Sequence, residues 1–97
     1  MRFEWDDHKE SINRKKHRIT FREAVSVFYD DYALVRDDPE HSSEEDRFLI
    51  LGYSYLAKII VVSHCCRGEG SVIRIISARR ATGNETLQYH ERRKGIS

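Results

Sequence analysis

Residues 58–78 of the chain read KIIVVSHCCRGEGSVIRIISA. The run Ile59–Val62 is apolar at every position, which is typical of a central strand with both faces buried. Gly68-Glu69-Gly70 has the composition of a tight turn, and the following Val72–Ala78 is rich in β-branched residues. This stretch therefore predicts two antiparallel strands joined by a hairpin.

Further strands are predicted on the N-terminal side of this hairpin. Arg47–Ser54 is rich in strand-forming residues and predicts the first strand of a three-stranded antiparallel meander. Tyr32–Arg36 is consistent with a short strand, and Arg2–Trp5 alternates polar and apolar residues. The segment 37–43 contains Pro39, the only proline of the chain, and predicts a loop.

Three helices are predicted from their capping residues. Asp6 or Asp7 can cap a surface helix that runs to residue 17. Thr20-x-x-Glu23 is a capping box before a strongly apolar helix face, and Thr82-x-x-Glu85 is a second box that opens a helix reaching residue 93. Together the elements predict an α+β fold, with an antiparallel sheet of three to four strands packed against two N-terminal helices and a C-terminal helix.

Length and composition indicate a single folded domain and argue against a membrane or secreted protein. The chain has 97 residues, 39% of them hydrophobic and 10% aromatic, which fits one folded domain spanning residues 1–97. Its longest apolar run is far too short for a membrane helix, and the first residues lack a signal-peptide core. Cys65 and Cys66 are adjacent and unsuited to a disulfide, so we expect a cytoplasmic protein with reduced thiols.

Charge is unevenly distributed although the net charge is only +1. Residues 8–18 and 79–94 are basic, and residues 30–46 between them are strongly acidic. Basic segments can bind a polyanion, and acidic segments can bind a basic partner. Solvated surface is the simpler interpretation of any one of these segments.

The histidines and cysteines show none of the paired spacings of a zinc site, so we expect no metal and no other cofactor. No signature of an activated serine or cysteine nucleophile is present either. The remaining candidate for chemistry is a basic cluster with polar aromatic residues, namely Arg47, His64, Arg74, Arg79, Arg80 and Tyr89.

Such a cluster suits RNA cleavage without a metal. The reaction needs activation of a 2′-hydroxyl, charge stabilisation of a crowded phosphorane and protonation of the leaving 5′-oxygen. Arginine can supply the charge, and His64 or Tyr89 can move protons. Structural roles stay open as alternatives. A strand arginine commonly pairs with an acid on a neighbouring strand, His64 can be a hydrogen-bonded strand residue, and Tyr89 can be the apolar anchor of its helix.

The order and spacing of several motifs resemble one family, the BrnT toxins of the wider RelE-like superfamily. The similarity extends over residues 3–91, nearly the whole chain. Its motifs are Phe3-Glu4-Trp5-Asp6, Asn13 with Lys16-His17, Ile19-x-Phe21-x-Glu23-Ala24, Glu45-x-Arg47-Phe48 with Leu51-Gly52, Val61-Val62-x-His64, Arg74-Ile75-Ile76-Ser77-Ala78-Arg79 and Ala81-Thr82-x-x-Glu85-x-x-x-Tyr89.

The resemblance implies a RelE-like fold and a ribonuclease toxin of a bacterial type II toxin–antitoxin system, which cleaves RNA and inhibits translation. It implies a BrnA antitoxin as the neutralising partner, in a toxin–antitoxin heterotetramer. Operator DNA would be bound only through the antitoxin, and no membrane partner is expected.

The resemblance also suggests site residues. Arg79 and Tyr89 fall where the superfamily places a phosphate-stabilising arginine and a helix tyrosine near the scissile phosphate. Arg47, His64 and Arg74 occupy family motif positions, and we infer catalytic roles for them. The residues expected to bind RNA are Arg80, Lys16 and His17.

Two positions depart from the family pattern. The family commonly has glycine, which favours a left-handed helix cap, where this chain has Arg18, so we expect a differently built turn there. The last helix begins Gly83-Asn84-Glu85 instead of with basic residues, which predicts weaker RNA binding. The alternative function is therefore a catalytically weak or inactive binding module that acts as antitoxin partner and operon co-repressor. Direct DNA binding is not expected, because the helix after Thr20 is apolar on one face and acidic at its end.

Overall fold

The computed structural model describes residues 1–38 and 46–95 of the chain. A strand is followed by two helices and a 3₁₀ turn, then by four strands and a last helix. In chain order the elements are β1 (Arg2–Glu4), α1 (Asp7–His17), α2 (Phe21–Ser26), the 3₁₀ turn Val27–Tyr29, β2 (Leu34–Asp37), β3 (Arg47–Tyr53), β4 (Ile59–Arg67), β5 (Val72–Arg80) and α3 (Gly83–Arg93).

The strands form one five-stranded sheet in the order β1-β5-β4-β3-β2. The strands β2 to β5 pair antiparallel, whereas β1 runs parallel to β5, with Arg2 opposite Val72 and Glu4 opposite Arg74. The predicted α+β class and the predicted meander are confirmed. The sheet is larger than the three to four strands expected and is mixed, because β1 joins its edge. Most of the predicted loop at 37–43 lies outside the described residues.

The helix starts follow the predicted caps. The side chain of Asp6 accepts hydrogen bonds from the backbone of His8 and Lys9, and the capping box of Thr82 and Glu85 is reciprocal. At Thr20 only half of the box forms, because the buried Glu23 carboxylate accepts instead from Ser54 Oγ at 2.7 Å. The helices of the described chain are too short and too polar to cross a lipid bilayer.

Arg18 ends α1 in the left-handed conformation, with φ 58° and ψ 34°. Its backbone N–H donates to the carbonyl of Arg14, as expected of a left-handed helix cap. The turn is therefore built with the left-handed cap that favours glycine. The expectation of a different turn at this position was wrong. Arg18 adopts the left-handed conformation although this conformation is unfavourable for a residue that carries a Cβ atom.

Two apolar clusters pack on opposite faces of the sheet. On one face, which we call the helix-pair face, α1, α2 and the 3₁₀ turn cover a core that includes Phe21, Ile60 and Ile75. On the other, which we call the α3 face, Tyr89 of α3 packs with Val61 and other strand residues. Helix α3 packs on the part of that face that Leu51 and Val61 form.

Asn13 of α1 closes the edge of β5 where β1 no longer covers it. Its side-chain amide donates to the carbonyl of Ile19 at 3.0 Å, and its carbonyl accepts from the backbone N–H of Ala78 at 3.0 Å. Asn13 is buried, and a buried backbone N–H needs a hydrogen-bond partner. The side-chain carbonyl of Asn13 therefore takes the place of the backbone acceptor that a longer β1 would offer to Ala78. This contact also holds β5 at Ala78, the residue before Arg79.

Candidate functional site

Strand register places the predicted arginines Arg47, Arg74 and Arg79 on the α3 face. Arg79 pairs with Val61, which packs against α3. Successive side chains alternate between faces, and Cys65 lies opposite both Arg47 and Arg74, so these residues form one row across the sheet on the same side. We call the part of this side beyond α3 the arginine face, lined by Arg36, Arg47, Arg67, Arg74 and Arg79.

Glu85, in the first turn of α3, holds two of these guanidinium groups together. Arg79 donates to both of its carboxylate oxygens, at 2.8 and 3.0 Å, and Arg36 donates to one of them at 2.8 Å. The same carboxylate accepts from the backbone N–H of Thr82 at 2.8 Å. The hydrogen bonds from Arg79, supported by those of Thr82, lower the pKa of Glu85 from 4.5 to about 2, so it stays ionised.

A second carboxylate holds the other end of the arginine face. Glu4 of β1 accepts from Arg74 at 2.9 Å and from Arg67 at 3.0 Å. The hydrogen bond from Arg74 is the main reason why the pKa of Glu4 lies below its usual value. Pairing with an acid on a neighbouring strand was the alternative role for a strand arginine. Arg74 has such a partner in Glu4, whereas the acid partner of Arg79 lies on α3. Their side chains nevertheless remain 32% and 39% exposed, so an anion in solvent can reach them.

Tyr89 lies under α3 and is fully buried. Its hydroxyl donates to Asp30 at 2.7 Å, and burial together with this carboxylate raises the pKa of Tyr89 to about 12. The backbone N–H groups of Tyr53 and Tyr32 also donate to Asp30, and these bonds lower its pKa against the opposing effect of burial. Tyr89 thus anchors α3 to the sheet, which is the alternative that the sequence left open, and its proton is held away from the arginine face.

His64 lies on the helix-pair face. It pairs with Ile75, and its ring makes an edge contact with Phe28 at 4.8 Å between centroids and lies near Phe48. Its Nδ1 contacts the carbonyl of Val62 at 3.3 Å, and burial lowers the pKa of the imidazole. The catalytic role stays a prediction, and the burial of the ring on the opposite side of the sheet does not support it.

The residues expected to bind RNA lie around β5 and α1. Arg80 is exposed and pairs with Ile60, which places its side chain on the opposite side of the sheet from Arg79. Lys16 and His17 line a shallow groove of about 230 Å³ between α1 and β5, together with Ser77. The structure thus brings Arg47, Arg74 and Arg79 onto one surface and places Lys16 and His17 at its border.

Sequence reasoning missed four residues of the arginine face: Arg36, Arg67, Glu4 and Glu85. Glu85 was recognised only as a capping residue, and its second role needs the contact with Arg79. Arg36 and Glu85 are 49 residues apart in the chain, and Arg74 and Glu4 are 70 apart. The pairing of β1 with β5 and the packing of α3 on the sheet, which no local motif records, bring these partners together.

The fold and the site together define a small α+β protein with a row of arginines on one side of its sheet. Its guanidinium groups are pre-oriented by carboxylates and stay accessible to solvent. Among residues 1–38 and 46–95, no group of three or more histidines, cysteines or carboxylates is clustered as a metal site would be.

Comparison with known proteins identifies the family. The family model of the ribonuclease toxin BrnT of type II toxin–antitoxin systems matches residues 5–85. The chain therefore belongs to the BrnT family of ribonuclease toxins, and the predicted recognition and function are confirmed at that level. The inactive binding module, which was the alternative, is not favoured.

A solved structure supports the same assignment. The crystal structure of the Brucella abortus ribonuclease toxin BrnT matches with a TM-score of 0.66 and 25% sequence identity. The match covers 84% of this chain and 97% of that one. A comparison with curated protein sequences returns no match.

Proposed function

We propose that residues 1–97 act as a single toxin domain that cleaves RNA on the arginine face without a metal ion. The observation that carries this proposal is the convergence of Arg47, Arg74 and Arg79 on one exposed side of the sheet. Guanidinium groups fixed in advance can stabilise the charge that develops on a phosphorane, which is the task a metal ion would otherwise perform.

In the proposed reaction the 2′-oxygen of one nucleotide attacks the adjacent phosphorus. The bond from phosphorus to the 5′-oxygen then breaks, and the proton lost by the 2′-hydroxyl is balanced by one gained at the 5′-oxygen. Arg79 stabilises the non-bridging oxygens in the transition state, and Arg74 and Arg47 hold the phosphate. Tyr89 acts as a positioning residue, because its hydroxyl is engaged by Asp30 and keeps α3, with Glu85, over Arg79.

The flanking RNA would extend along α1. The last turn of this helix is basic, and Lys16 and His17 lie in the groove that also contains Ser77 of β5. Arg80 adds an exposed positive charge at the end of β5. Such contacts to the RNA backbone act mainly through charge, so they would raise affinity without selecting a sequence.

We also propose a BrnA-like antitoxin as the partner, in a toxin–antitoxin heterotetramer that meets operator DNA only through the antitoxin. The type II family assignment supports an antitoxin, and the arginine face offers a positive surface for an acidic segment of it. Since the substrate is cellular RNA, the proposal places the toxin in the cytoplasm. The melting temperature should rise on complex formation, and equal values for free toxin and complex would contradict a stable pair.

The decisive experiment uses purified protein and end-labelled RNA in EDTA. Wild type, Arg79→Ala and the control Arg22→Ala are compared, since Arg22 is an exposed arginine on α2, on the other side of the sheet. We expect Arg79→Ala to lower the cleavage rate about 100-fold or more and Arg22→Ala to leave it unchanged. RNA with 2′-O-methyl groups should stay intact. Cleavage by folded Arg79→Ala at the wild-type rate would overturn the proposed site, and cleavage only with added metal would overturn metal independence.

A further inference from the structure

Two serines lie side by side in the middle of the arginine face. Ser63 of β4 pairs directly with Ser77 of β5. Ser63 follows Val61 by two positions and Ser77 precedes Arg79 by two, so both side chains lie on the α3 face. Ser63 is buried and Ser77 is exposed, so the pair is open to solvent on the β5 side.

The pair is flanked by arginines in both strand directions. Arg79 follows Ser77 by two residues in β5, and alternate residues of a strand are about 6.6 Å apart. In the other direction, beyond the register shift at Ser63/His64, come Arg74 on β5 and Arg47 on β3. A phosphate group seated over the serines would therefore lie between guanidinium groups on two sides.

Neither serine hydroxyl forms a hydrogen bond within the described residues. A hydroxyl is a donor as well as an acceptor, and guanidinium groups are donors only. A single group that only accepts hydrogen bonds can therefore bind the serines and the arginines together. An anionic oxygen of a phosphate meets that requirement.

We propose that Ser63 and Ser77 form the floor of the subsite for an RNA phosphate, where their hydroxyls donate to a non-bridging oxygen. Ser77 makes the principal contact because it is the exposed member, and Ser63 supports the same oxygen from below. This inference rests on the proposed ribonuclease function and adds two substrate-binding residues to it.

The test compares Ser77→Ala, Ser63→Ala and the double variant with wild type. Ser77→Thr retains the hydroxyl in a residue that strands accommodate well, and Ser11→Ala on α1 is the matched serine control. Two quantities are measured: the single-turnover cleavage rate and the affinity for an RNA that carries 2′-O-methyl groups and cannot be cleaved. Thermal unfolding of each variant checks its folding, and the exposed Ser77 keeps the test valid even where Ser63→Ala unfolds.

We expect Ser77→Ala to lower the cleavage rate about tenfold, as for a hydrogen bond to a charged group, with weaker binding of the uncleavable RNA. Ser77→Thr should recover most of the rate, and Ser11→Ala should match wild type. Wild-type rate and affinity in folded Ser77→Ala and in the double variant, with Arg79→Ala inactive, would overturn the serine subsite and leave the ribonuclease proposal intact. If wild type itself cleaves no RNA, the ribonuclease proposal fails. The subsite is then tested by binding alone, and it is overturned if the double variant binds the uncleavable RNA as tightly as wild type does.

Discussion

Replacing Glu85 by glutamine tests the structural basis of the arginine face. The change keeps the size of the side chain, removes the charge that Arg79 and Arg36 share, and replaces one accepting oxygen by an amide group that can only donate. The lowering of the Glu85 pKa from 4.5 to about 2 corresponds to an upper bound of about 3 kcal/mol of stability at neutral pH. Because the two arginines are 39% and 47% exposed, solvent screening reduces the expected loss to about 1–2 kcal/mol.

The sign of the pH dependence follows from the direction of the shift. The pKa of Glu85 is lower in the folded chain than the value of 4.5 for the free side chain, so its stabilisation is fully present above pH 4.5 and is lost as pH falls toward about 2. Urea unfolding of wild type and Glu85→Gln at pH 7 and pH 3 measures this. The stability difference should shrink to less than half at the lower pH.

The control for this experiment is Glu91→Gln, which removes an exposed charge from the same helix. It should change stability little at either pH. A stability difference for Glu85→Gln that is equal at pH 7 and pH 3 would refute the reasoning, since the ionised carboxylate would then not be the stabilising group.

The same variant separates RNA binding from cleavage. Removing a negative charge beside Arg36 and Arg79 should tighten the binding of uncleavable RNA several-fold, more strongly at low salt. The cleavage rate of bound RNA should fall, because Arg79 loses the bidentate partner that orients it. Tighter binding with unchanged or faster cleavage would show that Glu85 only obstructs the site.

Three further substitutions test the fold around the site. Arg18→Gly should stabilise the protein by about 1 kcal/mol, raising the melting temperature by about 4–8 °C, since glycine accepts the left-handed cap; an unchanged or lower melting temperature would contradict this. Tyr89→Phe should cost about 1–3 kcal/mol in urea unfolding by removing the donor to Asp30, and the cleavage rate of the folded variant should fall less than about tenfold, since the buried ring still packs α3 on the sheet; loss of cleavage without loss of stability would instead give the hydroxyl a chemical role. Gly52→Ala should cost about 1–3 kcal/mol in the same assay, because the added Cβ would lie 2.7 Å from Cγ1 of Val27, and a neutral result would mean that the 3₁₀ turn moves freely.

The parts of the fold that local chemistry controls were predictable from the sequence. The caps at Asp6, Thr20 and Thr82 each depend on a side chain and the backbone within a few residues of it. The hairpin between β4 and β5 depends on a short glycine-containing turn, and its strands lie where the apolar runs predict them. Even so, β5 extends to Arg80, beyond the predicted end at Ala78, because Arg79 and Arg80 still pair with Val61 and Ile60 of β4.

The parts that depend on distant pairing were not predictable in the same way. Nothing local to Arg2–Glu4 specifies a parallel partner 70 residues away. The face of His64 was equally undetermined, because Ile59–Val62 is apolar throughout and gives no alternation from which to assign sides. The arginines were identified as a group by residue type, whereas their carboxylate partners depend on tertiary structure: strand pairing places Glu4 beside Arg74, and the packing of α3 places Glu85 beside Arg36.

Because β1 pairs with the distant strand β5, we expect β1 to join the sheet after the β4–β5 hairpin has formed. Glu4 reaches Arg74 across 70 residues, and the entropy of closing so long a loop delays that contact relative to the local hairpin of β4 and β5. With only three residues at the sheet edge, β1 is also the element expected to detach first in partial unfolding, which hydrogen exchange at its amides would reveal. Each such opening would release Arg67 and Arg74 from Glu4 while the meander stays folded, so the charge presented by the arginine face would change whenever this one short strand frays.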